Sequence, residues 1–291
     1  MLKEQQRLQL SGRRQRCPRK AVPASLRMLA LGTAVVVLAY QPDVRSLGPD
    51  VSEPNDTIEA SGAPPLPESL ASRNLLPFTD QPWDRLIGNY WNYLKRSSSK
   101  DADIVVDATA PFSPPNVLRI IFTPNLENDR QPTVHWIGLP FVSEVYATWW
   151  IKLSANWTPN PAGGGKMAFL WPPQGNGVLY SNIGGSSLPH HINMVTTWPA
   201  YGYKFWEPNI ATTDIYYDRW YRIQWYVKWE SSPASGDGII RWWVNDTLNG
   251  DYGDLHFPAC CLLQFEFAPT MQNPPPADQY MYIDHTWIAT P

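Results

Sequence analysis

The chain has 291 residues, a formal net charge of −3 and 17% charged residues, and it contains 15 Trp, 14 Tyr and 30 Pro. This aromatic content excludes a disordered chain, and the slightly acidic balance gives no basic footprint for nucleic acid. Such tryptophan usage has two common sources, a large sandwich core and aromatic platforms for carbohydrate rings, and both can apply to one protein.

The first 40 residues are organised like an export signal. Residues 1–27 are strongly basic, and residues 28–40, MLALGTAVVVLAY, form an uncharged apolar run. The run is shorter than the roughly 20 residues that a spanning helix needs, so it predicts a signal peptide, with an uncleaved signal anchor as the alternative. Either one predicts a secreted or cell-surface protein, and an uncleaved segment would be its only contact with a membrane.

Residues 41–82 are rich in Pro, Ser, Glu and Asp and lack sustained apolar periodicity. This composition predicts a disordered, Pro-rich linker. The remaining residues, 83–291, fall within the size range of a single all-β domain. We therefore expect a signal, a linker and one folded domain.

The stretch 220–229, WYRIQWYVKW, gives the clearest strand signal. Its residues are β-branched and aromatic types that suit a pleated surface, and with period two they separate into two faces. The predicted dry face consists of Tyr221, Ile223, Trp225, Val227 and Trp229. The predicted outward face consists of Trp220, Arg222, Gln224, Tyr226 and Lys228. Such an outward face suits a sugar through hydrogen bonds and ring contact, or it is an ordinary solvated face with extended cations.

The same alternation recurs along the chain. It is clear in residues 144–154, 239–245, 262–268 and 280–289, and shorter candidates occupy 104–108, 117–123, 166–171, 190–195 and 202–206. Residues 86–95 fit a short helix slightly better than a strand. Many short strands with turn signals between them, and no convincing long helix, predict an antiparallel jelly-roll β-sandwich.

The order of motifs resembles a known fold family. YATWWIKLSANW, GGGKMAFLW, DRWYRIQWYVKW, SGDGIIRWWVNDTLNGDY and the closing YIDHTWIA resemble the concanavalin A-like jelly rolls of bacterial polysaccharide lyases and LamG-like sugar-binding domains. The resemblance covers about residues 117–290. It implies sugar handling, but enzymes and non-enzymes share the fold, so it leaves the chemistry open.

Glycosidase chemistry of the two-carboxylate type needs paired acidic side chains on one strand face. The E-x-D-x-E pattern that supplies them in hydrolases of this fold class is missing from the sequence, where Glu266 stands alone in LQFEFA. The sequence therefore argues against a retaining glycosidase.

Elimination from a uronate needs a group that neutralises the carboxylate and a Tyr or His that takes the C5 proton. The candidate bases are Tyr203 and His191, and the candidate neutralisers are Gln224, Arg222 and Asn193. HHIN and YGYKF faintly resemble the Q-x-H and Y-F-K-A-G segments of alginate lyases. Because neighbours on a strand point to opposite faces, His190 and His191 cannot both line one site without a bulge.

Carbohydrate contacts are predicted on the polar faces of several strands. The candidates are Trp150, Lys152, Lys166, Tyr226, Lys228, Trp243, Gln264 and Glu266. Our leading hypothesis is extracellular polysaccharide binding by the concave face of the jelly roll. A polysaccharide lyase acting on a uronate polymer and a non-catalytic structural surface protein are the alternatives.

Cofactors and partners are only weakly specified by the sequence. No zinc spacing occurs, and a structural calcium ion is compatible with the resemblance. Asp284-His285 is expected to make a structural hydrogen bond. Cys260 and Cys261 are expected to be small buried hydrophobic residues, because a bond between adjacent cysteines distorts the peptide. We expect a monomer with a polysaccharide or oligosaccharide ligand.

Overall fold

The computed structural model describes residues 64–96, 101–160, 164–173, 177–198, 201–257 and 261–291. These residues form a short 3-10 helix, Glu68–Leu70, and a series of strands. The strands are β1 Leu76–Gln81, β2 Asn92–Lys95, β3 Ala102–Val106, β4 Asn116–Phe122, β5 Thr133–Val142, β6 Glu144–Leu153, β7 Gly164–Trp171, β8 Leu179–Gly184, β9 His191–Thr196, β10 Lys204–Trp206, β11 Tyr221–Lys228, β12 Gly238–Val244, β13 Thr247–Leu255, β14 Leu262–Thr270 and β15 Gln279–Thr290. The predicted signal lies outside the described residues, and none of the helical segments within them is long and apolar enough to span a bilayer.

The strands form two antiparallel sheets. The eight-stranded sheet has the order β13-β12-β11-β6-β15-β4-β3, with β1 added beside β15. The seven-stranded sheet has the order β10-β9-β8-β7-β14-β5-β2. Neighbours in these lists are far apart in sequence at several points, as the long connections of a jelly roll require. The predicted antiparallel sandwich is confirmed.

The core between the sheets takes the dry face of the anchor strand. Tyr221, Ile223, Trp225, Val227 and Trp229 all belong to the main apolar cluster, as their alternation predicts. This cluster also contains residues of β5, β7, β8, β9 and β14 from the other sheet. The inward face of this strand, β11, is thus buried against the opposite sheet, which fixes its register.

Tryptophan fills much of this core. Trp149 and Trp225 meet edge to face with ring centroids 5.1 Å apart, and Phe265 and Phe267 lie 5.7 and 5.4 Å from Trp149. The fully buried indoles are Trp83, Trp91, Trp149, Trp198, Trp225 and Trp242. A sandwich core therefore explains a large part of the tryptophan content, since each indole removes a large apolar area from water.

The folded part begins earlier than its composition suggests. Residues 64–82 were assigned to the linker, but β1 within them pairs with β15, from Leu76 opposite Thr290 to Gln81 opposite Thr286. Residues 64–75, here called the N-terminal strap, lie on the outer face of the eight-stranded sheet, where buried Leu70 and Leu75 pack with its aromatic side chains. The linker prediction is wrong for this part because the strap contacts the sheet through scattered apolar residues and single polar groups, which leave no periodic pattern.

Two smaller expectations are also corrected. The stretch 86–95 is not helical; it turns and then forms β2. Cys261 is disulfide-bonded and only half-buried, so the expected free, buried thiol is wrong. Its partner cysteine lies outside the described residues.

Candidate active site

The predicted site residues divide between two opposite faces. His191, Asn193, Lys166, Gln264 and Glu266 project from the seven-stranded sheet, and the Tyr203 hydroxyl joins them through Tyr180 of β8. The outer face of the eight-stranded sheet carries Trp150, Lys152, Arg222, Gln224, Tyr226, Lys228 and Trp243. A single elimination site that combines Tyr203 or His191 with Gln224 or Arg222 is therefore wrong, because the core separates the two faces.

The polar face of the anchor strand is covered. Tyr226 is completely buried and donates its hydroxyl to Glu144 Oε2 at 2.8 Å. Gln224 Nε2 donates to the Tyr146 hydroxyl at 2.9 Å. The N-terminal strap packs over this region, and Arg222 Nη2 donates to the carbonyl of Pro65 at 3.1 Å. These side chains therefore do not line an open groove.

Trp150 and Trp243 are also engaged within the protein. The Trp150 ring stacks on Phe112 at 4.9 Å, and the Arg222 guanidinium lies 5.3 Å from the same ring. Trp243 is buried in the cluster beneath the strap. Neither indole offers a free face for a sugar.

Cations on the eight-stranded face are paired with carboxylates. The pairs are Arg119–Asp103, Lys152–Asp107, Arg222–Asp246, Lys228–Asp237 and Arg241–Asp251. Burial is the largest single influence on the Asp107 carboxyl, and it raises the pKa. The hydrogen bonds that the carboxylate accepts from Lys152 and Thr109 together outweigh burial and hold the pKa below its usual range. The outward face of this sheet therefore has little positive charge left for a polyanion.

The seven-stranded face gathers amides and a cation in one row. Strand pairing sets Lys166 opposite Asn182, and Asn182 opposite Asn193. Asn182 Nδ2 donates to Asn193 Oδ1 at 3.0 Å, and Asn193 Nδ2 donates to Glu207 Oε1 at 2.9 Å. Residues opposite each other in neighbouring strands have their side chains within about 5 Å, so this row is continuous.

A pair of tyrosines lies beside this row. The hydroxyl oxygens of Tyr180 and Tyr203 are 2.6 Å apart, and Lys166 Nζ is 5.8 Å from the centroid of the Tyr180 ring. Tyr180 is 2% exposed and Tyr203 is 62% exposed. Burial raises the pKa of the Tyr180 phenol, and its hydrogen bond with Tyr203 raises it further. Tyr180 therefore stays neutral and shares a hydrogen bond with the accessible hydroxyl of Tyr203.

The two adjacent histidines have different environments, as strand alternation requires. His191 Nε2 lies 2.9 Å from Glu207 Oε2 on the outward face. His190 is buried, with its ring nitrogens 3.2 Å from the Gly184 carbonyl and 3.0 Å from the Tyr217 hydroxyl. Burial lowers the pKa of His190. Only His191 is placed to meet a ligand on this face.

The other end of the same face is aromatic. Phe169 and Trp171 stack with ring centroids 6.1 Å apart, and Trp136 packs in the same cluster. Gln264 Nε2 donates to Glu266 Oε2 at 2.7 Å within this region. Burial raises the pKa of the Glu266 carboxyl. The face therefore combines a polar end, where charge can be handled, with an aromatic end, where sugar rings can stack.

The sequence patterns do not predict Tyr180, Asn182 or Glu207 as site residues, although the structure places all three at the site. A usable signal existed for the first two, because residues 179–184, LYSNIG, alternate Leu179, Ser181 and Ile183 inward with Tyr180 and Asn182 outward. Glu207 follows β10 in a connecting segment, where periodicity gives no information. No group of three or more His, Cys, Asp or Glu side chains within the described residues could hold a metal ion.

No protein-family model matches the chain, and no curated protein matches it in sequence. Solved structures do match. Alginate lyase vAL-1 from a Chlorella virus gives a TM-score of 0.50 at 12% identity, over 70% of this chain and 94% of that chain. The endo-β-1,4-glucuronan lyase of the fungus Trichoderma reesei gives 0.49 at 13% identity, over 72% and 92%. Alginate lyase Aly36B gives 0.46 at 13% identity, over 59% and 80%.

At such low identity the likeness establishes the fold and leaves the chemistry open. The described domain is an antiparallel jelly-roll β-sandwich, and it shares this fold with alginate lyase vAL-1.

Proposed function

We propose that this protein is an exported polysaccharide lyase that cleaves a uronate-containing polymer by β-elimination on the outer face of the seven-stranded sheet. The observation that carries the proposal is the hydrogen-bonded pair of Tyr180 and Tyr203 beside the row of Lys166, Asn182 and Asn193. The basic and apolar pattern of residues 1–40 supports export.

The row of Lys166, Asn182 and Asn193 neutralises the carboxylate of the bound uronate. A C5 proton of a uronate becomes acidic enough to remove only when the negative charge that develops on the carboxylate is stabilised. The Lys166 ammonium supplies a positive charge, and within the part of the chain that the structure describes its ion-pair partner is the exposed Asp129, at the long distance of 3.6 Å. The amide groups of Asn182 and Asn193 are fixed by their mutual hydrogen bond and can donate to the same carboxylate.

Proton transfer falls to Tyr203. As a phenolate that accepts a hydrogen bond from the Tyr180 hydroxyl, it takes the C5 proton of the uronate. The C4–O4 bond then breaks, a C4=C5 double bond forms, and the Tyr203 phenol returns the proton to the departing O4. Each proton and electron pair is thereby accounted for without a further reactant. His191, held by Glu207, is the alternative base on the same face.

Neighbouring sugars of the polymer would lie along the aromatic end. Trp171 and Trp136 are half-buried, so each presents part of a ring to solvent beside buried Phe169. Contact between a pyranose and an aromatic ring is a common source of carbohydrate affinity, and it orients the chain without demanding charge. These rings also support a second candidate function, carbohydrate binding without turnover, which would use the same face.

The test measures product formation from alginate, glucuronan and a heparin-like polymer through the ultraviolet absorbance of the unsaturated uronate. Tyr203→Phe is expected to lower kcat/KM by about 10²-fold or more, because it removes the proton-transferring oxygen and keeps the ring. Tyr90→Phe removes a hydroxyl from an exposed tyrosine elsewhere and should leave the rate unchanged. Binding of a polymer with no product selects the carbohydrate-binding alternative, and unchanged turnover in Tyr203→Phe rejects the assigned role.

A further inference from the structure

A groove lies on the outer face of the eight-stranded sheet, on the part that the N-terminal strap leaves open. It has a volume of about 420 Å³ and is lined by residues of β4 and the start of β15, including Arg119 and Tyr280, and by Asn125 and Asp278 of the adjoining loops. This volume is within the usual range of small-ligand sites. The core separates it from the candidate active site.

A ladder of two aromatic rings begins with Tyr280 in the floor of this groove and continues to Tyr282, which lies outside its lining. Tyr280 and Tyr282 lie two residues apart on β15, so both point outward, with ring centroids 6.1 Å apart. The Arg119 guanidinium lies 5.0 Å from the centroid of the Tyr280 ring. Two hydrogen bonds hold that guanidinium in place: Nε donates to Asp103 Oδ1 at 2.8 Å and Nη2 donates to Asp103 Oδ2 at 2.7 Å. The platform is therefore held in place before any ligand arrives.

The charges around the ladder select the chemistry of the ligand. The positive charge of Arg119 is compensated by Asp103, and the exposed carboxylate of Asp278 adds negative charge at the rim. A polyanion would meet repulsion here, whereas a neutral sugar would find a ring to stack on and amide, carboxylate and guanidinium groups for its hydroxyls. The Lys166 row differs in its charge, because the cation there is loosely paired and can attract a polyanion.

We infer that this groove is a second carbohydrate-binding site, one that takes a chain of neutral pyranose sugars and performs no chemistry. The inference is independent of the proposed lyase function, since no residue is shared between the two faces. A protein with both sites would hold a neutral polysaccharide with one sheet while the other sheet handles a uronate polymer in the same material.

The test is affinity electrophoresis of the whole chain through gels containing a neutral soluble polysaccharide, hydroxyethyl cellulose, laminarin or xyloglucan. The native chain should be retarded by at least one of them. Tyr280→Ala is expected to weaken that binding about ten-fold, because it removes the stacking ring. Asn125→Ala, in an exposed loop where it cannot unfold the sheet, should weaken the same binding.

Tyr90→Ala removes an exposed tyrosine far from the groove and is the matched control, and Tyr203→Phe keeps this binding while losing lyase activity. The inference is overturned if none of the neutral polysaccharides retards the native chain. It is equally overturned if Tyr280→Ala and Asn125→Ala bind as the native chain does, or if Tyr90→Ala loses binding to the same extent.

Discussion

Trp225 and Tyr226 are neighbours on one strand, and both are completely buried, for different reasons. Trp225 lies between the sheets, and Tyr226 lies beneath the N-terminal strap. Alternation fixes the direction in which each side chain points, and that much was predictable from the sequence. Whether an outward side chain meets water depends on what covers it, and here the cover comes from residues about 150 positions earlier in the chain.

Lys166 and Lys228 differ in how closely a carboxylate neutralises the charge of the ammonium group. Lys228 Nζ donates to Asp237 Oδ2 at 2.6 Å, whereas Lys166 lies 3.6 Å from exposed Asp129. Lys166→Gln is expected to lower the kcat/KM of elimination by about 10²-fold, as expected when a group that stabilises developing negative charge is removed. Lys228→Gln changes the net charge equally and should leave the rate unchanged. Equal losses in both variants would contradict a specific role for Lys166.

His135 provides a test by pH. It is completely buried between Trp83 and Tyr93, and burial lowers its pKa from 6.5 to about 3. As pH falls below 6.5, the unfolded chain takes up a proton at this residue and the folded chain does not, so stability is lost progressively down to about pH 3.

Between pH 7 and pH 5, the free energy of unfolding of His135→Leu should therefore improve by about 2 kcal/mol relative to the native chain. Urea unfolding at both pH values measures this. Val106→Leu, which changes an exposed side chain that carries no titratable group, should show no such relative gain. An identical pH dependence for His135→Leu and the native chain would show that His135 is not a source of acid sensitivity.

At the scale of elements, the long strands were predictable and the short or aperiodic ones were not. β6, β11, β12, β14 and β15 each bury one face in the core over seven or more residues, so their period-two pattern is visible. β1 lies in a Pro-rich context, and β2 spans four residues, which is too short for a period to be distinguished from a helix. The sequence correctly predicts outward side chains on β7, β9 and β14 at the candidate site. It also assigns side chains of β11 to the same site, although that strand belongs to the other sheet.

The N-terminal strap should be a structural element and not a passive tail. Leu70 is fully buried against the aromatic cluster that contains Tyr226, Trp243 and Trp287. Leu70→Ala is expected to lower the free energy of unfolding by about 2–4 kcal/mol, because it removes buried apolar area and leaves a cavity. Ser69→Ala, at an exposed neighbouring position, is the control for chemical denaturation. If the two variants unfolded at the same denaturant concentration, the strap would not stabilise the sheet.

At the scale of the whole molecule, the two outer faces differ in electrostatics although they belong to one sandwich. The eight-stranded face carries its cations in close pairs, and the seven-stranded face carries Lys166 with a loose partner. Sequence alone could not reveal this difference, since each face takes residues from distant strands. The difference depends on cross-strand partners, which register sets.

Ionic strength should therefore separate the two binding events. Binding of a uronate polymer should weaken as ionic strength rises from about 0.01 M, where the Debye length is about 30 Å, to about 0.15 M, where it is about 8 Å. Binding of a neutral polysaccharide should change little over this range. Calorimetry of the native chain with both classes of polymer measures this, and the same salt dependence for both would mean that one face binds both.

The hydrogen bond from Arg222 to the Pro65 carbonyl has a consequence for orientation. It fixes the start of the strap to the eight-stranded sheet, on the far side of the molecule from Tyr203. The described chain therefore begins on the face of the sandwich opposite the tyrosine pair. A binder raised against the strap would thus sit behind the sandwich and leave its reactive side open to a polymer.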